Sequence, residues 1–109
     1  MFGLGGVSTD VLGDRSGRLA PLTRADADDM IRDLRAAPLL LGHRCAQPAD
    51  TGALAGILLR VSRLADDLPE VAELDLNPVI ARPDGACAVD ARVRLSVVEH
   101  RDPFLCRLR

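Results

Sequence analysis

Three polar side chains with oxygen atoms that can bind a cation lie in a segment where apolar and polar residues alternate. Asp75 and Asn77 are two residues apart, and Asp90 follows the strong turn signal of Pro83 to Gly85. One carboxylate and one amide oxygen suit magnesium, a hard cation that one or two protein oxygens commonly hold while waters and substrate phosphates complete its shell. Asn77 and Asp90 are therefore candidate metal ligands, and Asp75 is a candidate further ligand or outer acceptor.

The residues around these three side chains predict two strands joined by the turn, that is, a β-hairpin. In the first strand, from Val71 to Ala81, a period of two indicates one apolar and one polar face. The apolar face carries Leu74, Leu76 and Ile80, and the polar face carries Glu73, Asp75 and Asn77. In the second strand, Cys87, Val89, Ala91, Val93 and Leu95 alternate with Ala88, Asp90, Arg92 and Arg94.

Whether Asn77 and Asp90 meet depends on the length of the hairpin loop. An even loop, closed by Arg82 and Gly85 for example, places Asn77 directly opposite Asp90, with Cβ atoms about 4.5 to 5.5 Å apart. A three-residue loop with a bulge at Gly85 places the two side chains on opposite faces unless a second bulge compensates. On pattern alone, the simpler interpretation is that Asp75, Asn77 and Asp90 form the solvated face of an exposed hairpin.

The remaining elements predict a single α+β unit with a small, mostly antiparallel sheet and two helices. Short strands are expected at 7–12 and 18–22, where Pro21 confines the second strand to an edge or ends it. Thr23 with Asp26 three residues later is a variant of the capping box that begins a helix, and Pro38 stops that helix. Asp50 is a plausible N-cap for a second helix that runs to about Asp67.

Composition excludes several classes of function. The net charge is −2 and aromatic residues make up 2% of the chain, with no Trp or Tyr, so nucleic acid is an unexpected partner. All 14 basic residues are Arg, which excludes a phosphate-binding or Schiff-base lysine in this chain. Cys45, Cys87 and Cys106 lack the spacing of a disulfide framework or zinc site, and Cys45 and Cys87 are expected to be small buried hydrophobes. Without a spanning or export segment, we expect a soluble cytoplasmic protein.

Several motifs, in their order and spacing, resemble the ADP-forming acyl-CoA synthetase family. The hairpin matches with Glu73 to Val79 and with Ala88 to Val93, which are similar to the closing hairpin of that family. Upstream matches are Phe2 to Val7, Arg18 to Leu22, Asp26-Ala27 with Met30-Ile31, Leu40 to Arg44, and Asp66 to Glu70. The resemblance implies that residues 1–95 are the C-terminal subdomain of an ATP-grasp domain, and that its N-terminal half and the CoA-binding domains are partners. The chain alone is then expected to be inactive, and homo-oligomers are possible.

The resemblance implies that the site binds a nucleotide together with magnesium. Asn77 and Asp90 then bind Mg²⁺, and Asp75 belongs to the ATP/ADP site. So does Asp10, which stands where the family usually has Glu. The implied activity is that of an ADP-forming acetate–CoA ligase acting through an acyl phosphate.

The tail, residues 96–109, resembles the C-terminus of proteins that join such domains to an acetyltransferase. The alternative is accordingly a regulatory or interaction domain of such a fusion, without catalysis. Asp10 and Cys45 stand where the family usually has Glu and Gly, and these two departures favour the regulatory or interaction alternative. Arg18, Arg44 and Arg92 could meet phosphate, although an arginine is more often a solvated surface group.

Overall fold

The computed structural model describes residues 1–3, 13–42 and 47–98, and its strands pair only in antiparallel fashion within those ranges. The elements in chain order are β1 (Phe2–Gly3), β2 (Arg15–Ser16), α1 (Arg24–Arg32), α2 (Ala37–Leu40), α3 (Thr51–Asp67), β3 (Val71–Leu76), β4 (Val79–Arg82), β5 (Gly85–Ala88) and β6 (Ala91–Leu95). The pairs are β1 with β2, β3 with β6, and β4 with β5. The predicted α+β class with a small antiparallel sheet is confirmed.

The core lies where α1 packs against α3. Its buried members are Ala27 and Ile31 from α1 and Leu54 and Ala55 from α3. Ala27 and Ile31 are four residues apart, as are Leu54 and Leu58, so each helix turns one apolar stripe to the other. Around this centre pack the partly buried side chains Phe2, Leu40, Leu58, Leu59, Val79, Ala81 and Ala86.

Both long helices begin at the caps that the sequence predicts. The Thr23 hydroxyl accepts from the Asp26 N–H, and the Asp26 carboxylate accepts from the Thr23 N–H, so the capping box forms with Asp in place of Glu. Asp50 accepts from the Ala53 N–H and begins α3, which ends at Asp67 as expected. Local hydrogen bonds within the first turn therefore set where each of these helices begins.

Two local predictions are wrong. Residues 18–22 form no strand; instead Arg15–Ser16, which lies between the two predicted strands, pairs with Phe2–Gly3. Pro38 does not stop α1, which ends earlier at Arg32, and it lies in the first turn of the short α2. Proline is tolerated there because the first N–H groups of a helix have no intrahelical partner. The strand predicted at 7–12 lies outside the described residues.

The hairpin follows one register along almost its whole length. β4 and β5 close on Arg82 and Gly85, with Pro83 and Asp84 as the two loop residues. The same register continues through the Asn77 N–H, which donates to the Asp90 carbonyl at 3.2 Å, and into β3 and β6. A shift of one residue appears only at the far end, between Val71 and Glu73. The even loop is thus the one that forms.

The face of the hairpin that meets the core changes at Asn77–Pro78. Leu74 and Leu76 are half-buried before this point, whereas Val79 and Ala81 pack on the core after it. Ile80, predicted on the apolar face, is therefore exposed. So is Cys87, its cross-strand partner, which was expected to be buried. Because the register is the same on both sides of this point, both strands change face together and no residue is inserted in one strand alone.

Candidate functional site

The predicted metal ligands are brought together by the hairpin register. Asn77 and Asp90 lie between the β3–β6 and β4–β5 ladders, opposite each other in the register that both ladders share, and the Asn77 N–H donates to the Asp90 carbonyl. Side chains in this relation have Cβ atoms about 4.5 to 5.5 Å apart. Both residues are exposed. An exposed amide and an exposed carboxylate therefore lie on adjoining strands at this point.

The polar face continues away from Asn77 and Asp90 in two further cross-strand rows. Asp75 is opposite Arg92, and Glu73 is opposite Arg94. The Arg94 guanidinium donates to the Glu73 carboxylate at 3.2 Å and forms an exposed salt bridge with it. Each row lies two residues from the next, which is about 7 Å along a strand. In these two rows, the carboxylates of Glu73 and Asp75 lie on β3, and the guanidinium groups of Arg92 and Arg94 lie on β6.

Two concave surfaces adjoin these rows. Asn77 and Pro78 form part of the wall of a cavity of about 160 Å³, together with Phe2, Gly3 and Leu40. Asp75 borders a second cavity of about 230 Å³, whose lining is mostly apolar side chains from α3 and β3 and also includes Arg18. Phe2 lines both cavities. The short strand β1 therefore contributes to the site, which the sequence analysis did not anticipate because the Gly-rich start gives little strand signal.

The oxygen atoms of Asn77 and Asp90 suit a magnesium ion whose remaining ligands are waters and phosphates. Within residues 1–3, 13–42 and 47–98, no three His, Cys, Asp or Glu side chains are grouped closely enough to hold a metal ion. The candidate in that part of the chain is thus a pair of oxygen ligands. Magnesium is commonly bound through one or two protein oxygens plus waters and phosphates, so a pair on an open face is sufficient for it.

Of the other residues that the sequence indicated, the structure describes only some. Arg18 forms a salt bridge with Asp33. Asp10, Arg44, Cys45 and Cys106 lie outside the described residues, so what the sequence predicts for them stays a prediction. Among the described helices, none is both long enough and apolar enough to cross a membrane.

Comparison with known proteins gives consistent matches to one family. The model of the ATP-grasp domain family matches residues 1–95. The β subunit of ADP-forming acetate–CoA ligase I from Pyrococcus furiosus is 50% identical over 95 residues, which are 87% of this chain and 41% of that protein. ADP-forming acetate–CoA ligase I from Archaeoglobus fulgidus is also 50% identical, over 87% of this chain and 14% of its own length.

A solved structure agrees with these relatives. Acetyl-coenzyme A synthetase 1 from Ca. Korarchaeum cryptofilum, in complex with coenzyme A and Mg-AMPPCP, matches with a TM-score of 0.82 and 46% sequence identity. The match covers 86% of this chain and 44% of that one. The chain thus spans less than half the length of these relatives. From the family match and these identities, the chain belongs to the ATP-grasp domain family and is homologous to ADP-forming acetyl-CoA synthetases.

Proposed function

We propose that this chain supplies the residues of a nucleotide site that bind magnesium and contact the phosphates. Asn77 and Asp90 would hold Mg²⁺, which bridges and neutralises the phosphates of ATP or ADP during phosphoryl transfer. Asp75, one row away, would accept hydrogen bonds from metal-bound water, and Asp10 would complete the nucleotide site. The observation that carries the proposal is the register that sets Asn77 opposite Asp90.

The chain's own contribution is position and charge. The ladder fixes the two ligand-bearing backbones on both sides of the junction, so little rearrangement is needed to present two oxygens to one ion. The ligands are a neutral amide and a single carboxylate, which leaves most of the positive charge of the ion available for phosphate. The relative solved with Mg-AMPPCP supports the same chemistry here.

We further propose that residues 1–95 are the functional unit, as part of a larger ATP-grasp enzyme that makes or uses an acyl phosphate in the manner of an ADP-forming acetate–CoA ligase. Both the extent of the family match and the end of β6 at Leu95 support this boundary. Residues 96–109 would be a tail. The rest of the site, including the groups that bind adenine and CoA, would come from the regions that the longer relatives possess and this match does not cover.

The test is to locate the metal directly. In a ¹⁵N-labelled sample of the 109-residue chain, Mn²⁺ as a paramagnetic substitute should broaden the amide signals around Asn77 and Asp90 first. The variant Asn77→Ala/Asp90→Ala should lose this local broadening. Asp84→Asn, in the turn of the same hairpin, is the matched control and should keep it. Broadening that persists unchanged in the double variant would remove the proposed site.

The second candidate is a regulatory or interaction domain of an acetyltransferase fusion. Asp10 and Cys45, the two departures from the usual family residues, favour it. The same titration separates the two candidates, since a domain that has lost its nucleotide site should show no metal binding confined to Asn77 and Asp90. Mn²⁺ broadening that is equal across all acidic surfaces would support this second candidate.

A further inference from the structure

The polar face of the hairpin carries two arginines that differ in their surroundings. Arg94 lies in the outermost row and forms the salt bridge with Glu73 at 3.2 Å. Arg92 lies in the middle row, opposite Asp75 and next to the row of Asn77 and Asp90. In the part of the chain that the structure describes, Arg92 has no carboxylate oxygen within 4.0 Å of its guanidinium group. The guanidinium closer to the candidate metal ligands is thus the one without an ion pair there.

Distance favours a role for Arg92 at the phosphates. Its Cα is two residues from that of Asp90 along the chain, a separation of about 7 Å. The ladder places Arg92 opposite Asp75, in the row next to Asn77 and Asp90, and an extended arginine is long enough to cover the gap. A phosphate that shares a metal ion with the Asn77–Asp90 pair would therefore lie within reach of the Arg92 guanidinium.

Charge and donor chemistry point the same way. A nucleotide diphosphate carries more negative charge than one Mg²⁺ neutralises, and all 14 basic side chains of this chain are arginines. A guanidinium binds phosphate through two parallel N–H donors, which gives both charge and orientation. Of the arginines considered for phosphate, Arg18 forms a salt bridge with Asp33. Arg92 is exposed and lies in the row next to the candidate ligands.

We infer that Arg92 binds a phosphoryl group of the nucleotide whose phosphates share the Asn77–Asp90 metal ion. This inference rests on the proposed function and adds a specific cationic residue to it. Arg92 and its cross-strand neighbour Asp75 are both exposed, and their side chains form no salt bridge with each other. The Arg92 guanidinium can therefore turn to a phosphate of higher charge without a large loss.

The experiment is a titration of the labelled 109-residue chain with ADP in millimolar Mg²⁺, followed through the arginine Nε–Hε signals. The Arg92 signal should shift as ADP binds, and that of Arg94 should not. Arg92→Gln should lower the affinity for Mg-ADP on the order of tenfold, as loss of a charge-assisted contact does. Arg92→Lys should retain part of that affinity because it keeps the charge but loses the paired donors.

Arg94→Gln is the matched control, since it removes the same charge from the same strand and face one row further away. It should change the affinity for Mg-ADP less than twofold, a bound that follows from the weakness of exposed ion pairs and from screening. Mn²⁺ binding without nucleotide should be equal in wild type and Arg92→Gln. Amide spectra of each variant report whether the hairpin is still folded.

The outcomes separate this inference from the proposed function. If Arg92→Gln and Arg94→Gln lower Mg-ADP affinity equally, or if the Arg92 signal does not move with ADP, the role of Arg92 is overturned. The metal site then stands as long as Asn77→Ala/Asp90→Ala still abolishes local Mn²⁺ broadening. If Arg92→Gln also weakens Mn²⁺ binding without nucleotide, Arg92 acts on the hairpin rather than on phosphate, which likewise overturns the inference.

Discussion

The helical part and the hairpin part of this chain are stabilised in different ways. In α1 and α3, apolar side chains meet in a closed core, where Ala27 and Ala55 are fully buried and Ile31 is 2% exposed. In β6, by contrast, every residue is exposed, including Val93 at 50% and Leu95 at 68%. The hairpin is kept in register by its backbone ladder and turn, whereas the helices are kept together by burial.

This difference matters for where chemistry can reside. A cation with a water and phosphate shell needs an open polar face, which a closed apolar core cannot offer. The hairpin has that face on one side, and on its other side apolar residues such as Val93 and Leu95 are exposed within the described part of the chain. The comparison therefore predicts that stability and ligand binding respond to separate sets of substitutions.

The largest expected effect comes from the helical core. Ile31→Ala should lower the free energy of unfolding by about 2 to 5 kcal/mol, since it leaves a cavity between α1 and α3. Val93→Ala in β6 is the matched substitution on the exposed side and should cost less than about 1 kcal/mol. Urea unfolding followed by circular dichroism measures both, because the chain has no Trp or Tyr for fluorescence. Equal costs at the two positions would contradict the division of the molecule drawn above.

A smaller effect is expected at the hairpin turn. Gly85 has a φ of 152°, a backbone conformation that residues with a Cβ rarely adopt, although a Cβ there would meet no atom within 4 Å. Gly85→Ala should therefore cost about 1 to 3 kcal/mol through backbone strain rather than through a clash. Gly56→Ala is the control, since this site in α3 is also open and Ala favours a helix by about 1 kcal/mol.

The Gly85→Ala variant also tests whether the hairpin opens separately from the helical core. Hydrogen exchange should show faster opening of the β4–β5 amides in Gly85→Ala, while the amides of α1 keep their wild-type protection. If α1 loses protection to the same extent, the hairpin and the helical core unfold as one unit, and the independence argued here is wrong.

The sequence predicted most of the hairpin and both long helices but missed how they are joined. Alternation predicted Asp75, Asn77 and Asp90 on one polar face, and yet it was equally compatible with two loop lengths, because a period of two carries no information about the turn. The two-residue loop at Pro83 and Asp84 resolves this. Alternation also could not reveal the change of face at Asn77–Pro78, since a period of two does not show which face of each ladder packs on the helical core.

The short strands could not be predicted from the sequence, whereas the cap of α1 could. β1 and β2 have two residues each, too few for a periodic signal, and their pairing depends on contacts distant in sequence. The cap at Thr23 was predictable because its bonds are local. The metal and nucleotide roles of Asn77, Asp90, Asp75 and Asp10 came from family resemblance and remain predictions, and for Asp10 the described residues offer no geometry.

The smallest expected effect concerns pH and the cap of α1. The backbone N–H of Thr23 and then its hydroxyl donate to the Asp26 carboxylate and lower the pKa of that group. A lowered folded-state pKa means that the carboxylate adds stability above its unfolded value of about 3.9, and that this contribution is lost as the pH falls through the lower folded-state pKa. The stability difference between wild type and Asp26→Asn should therefore shrink only in the acidic range.

Urea unfolding of wild type and Asp26→Asn, from neutral pH to about pH 3, measures this difference. The control is the same pair in a Thr23→Val background, which retains the backbone donor and removes the hydroxyl. Because the backbone bond is the larger cause, most of the pH-dependent difference should survive in that background. A difference that vanishes there would assign the effect to the hydroxyl. A difference that stays constant with pH in the original pair would mean that the cap stabilises α1 without favouring the charged form of Asp26.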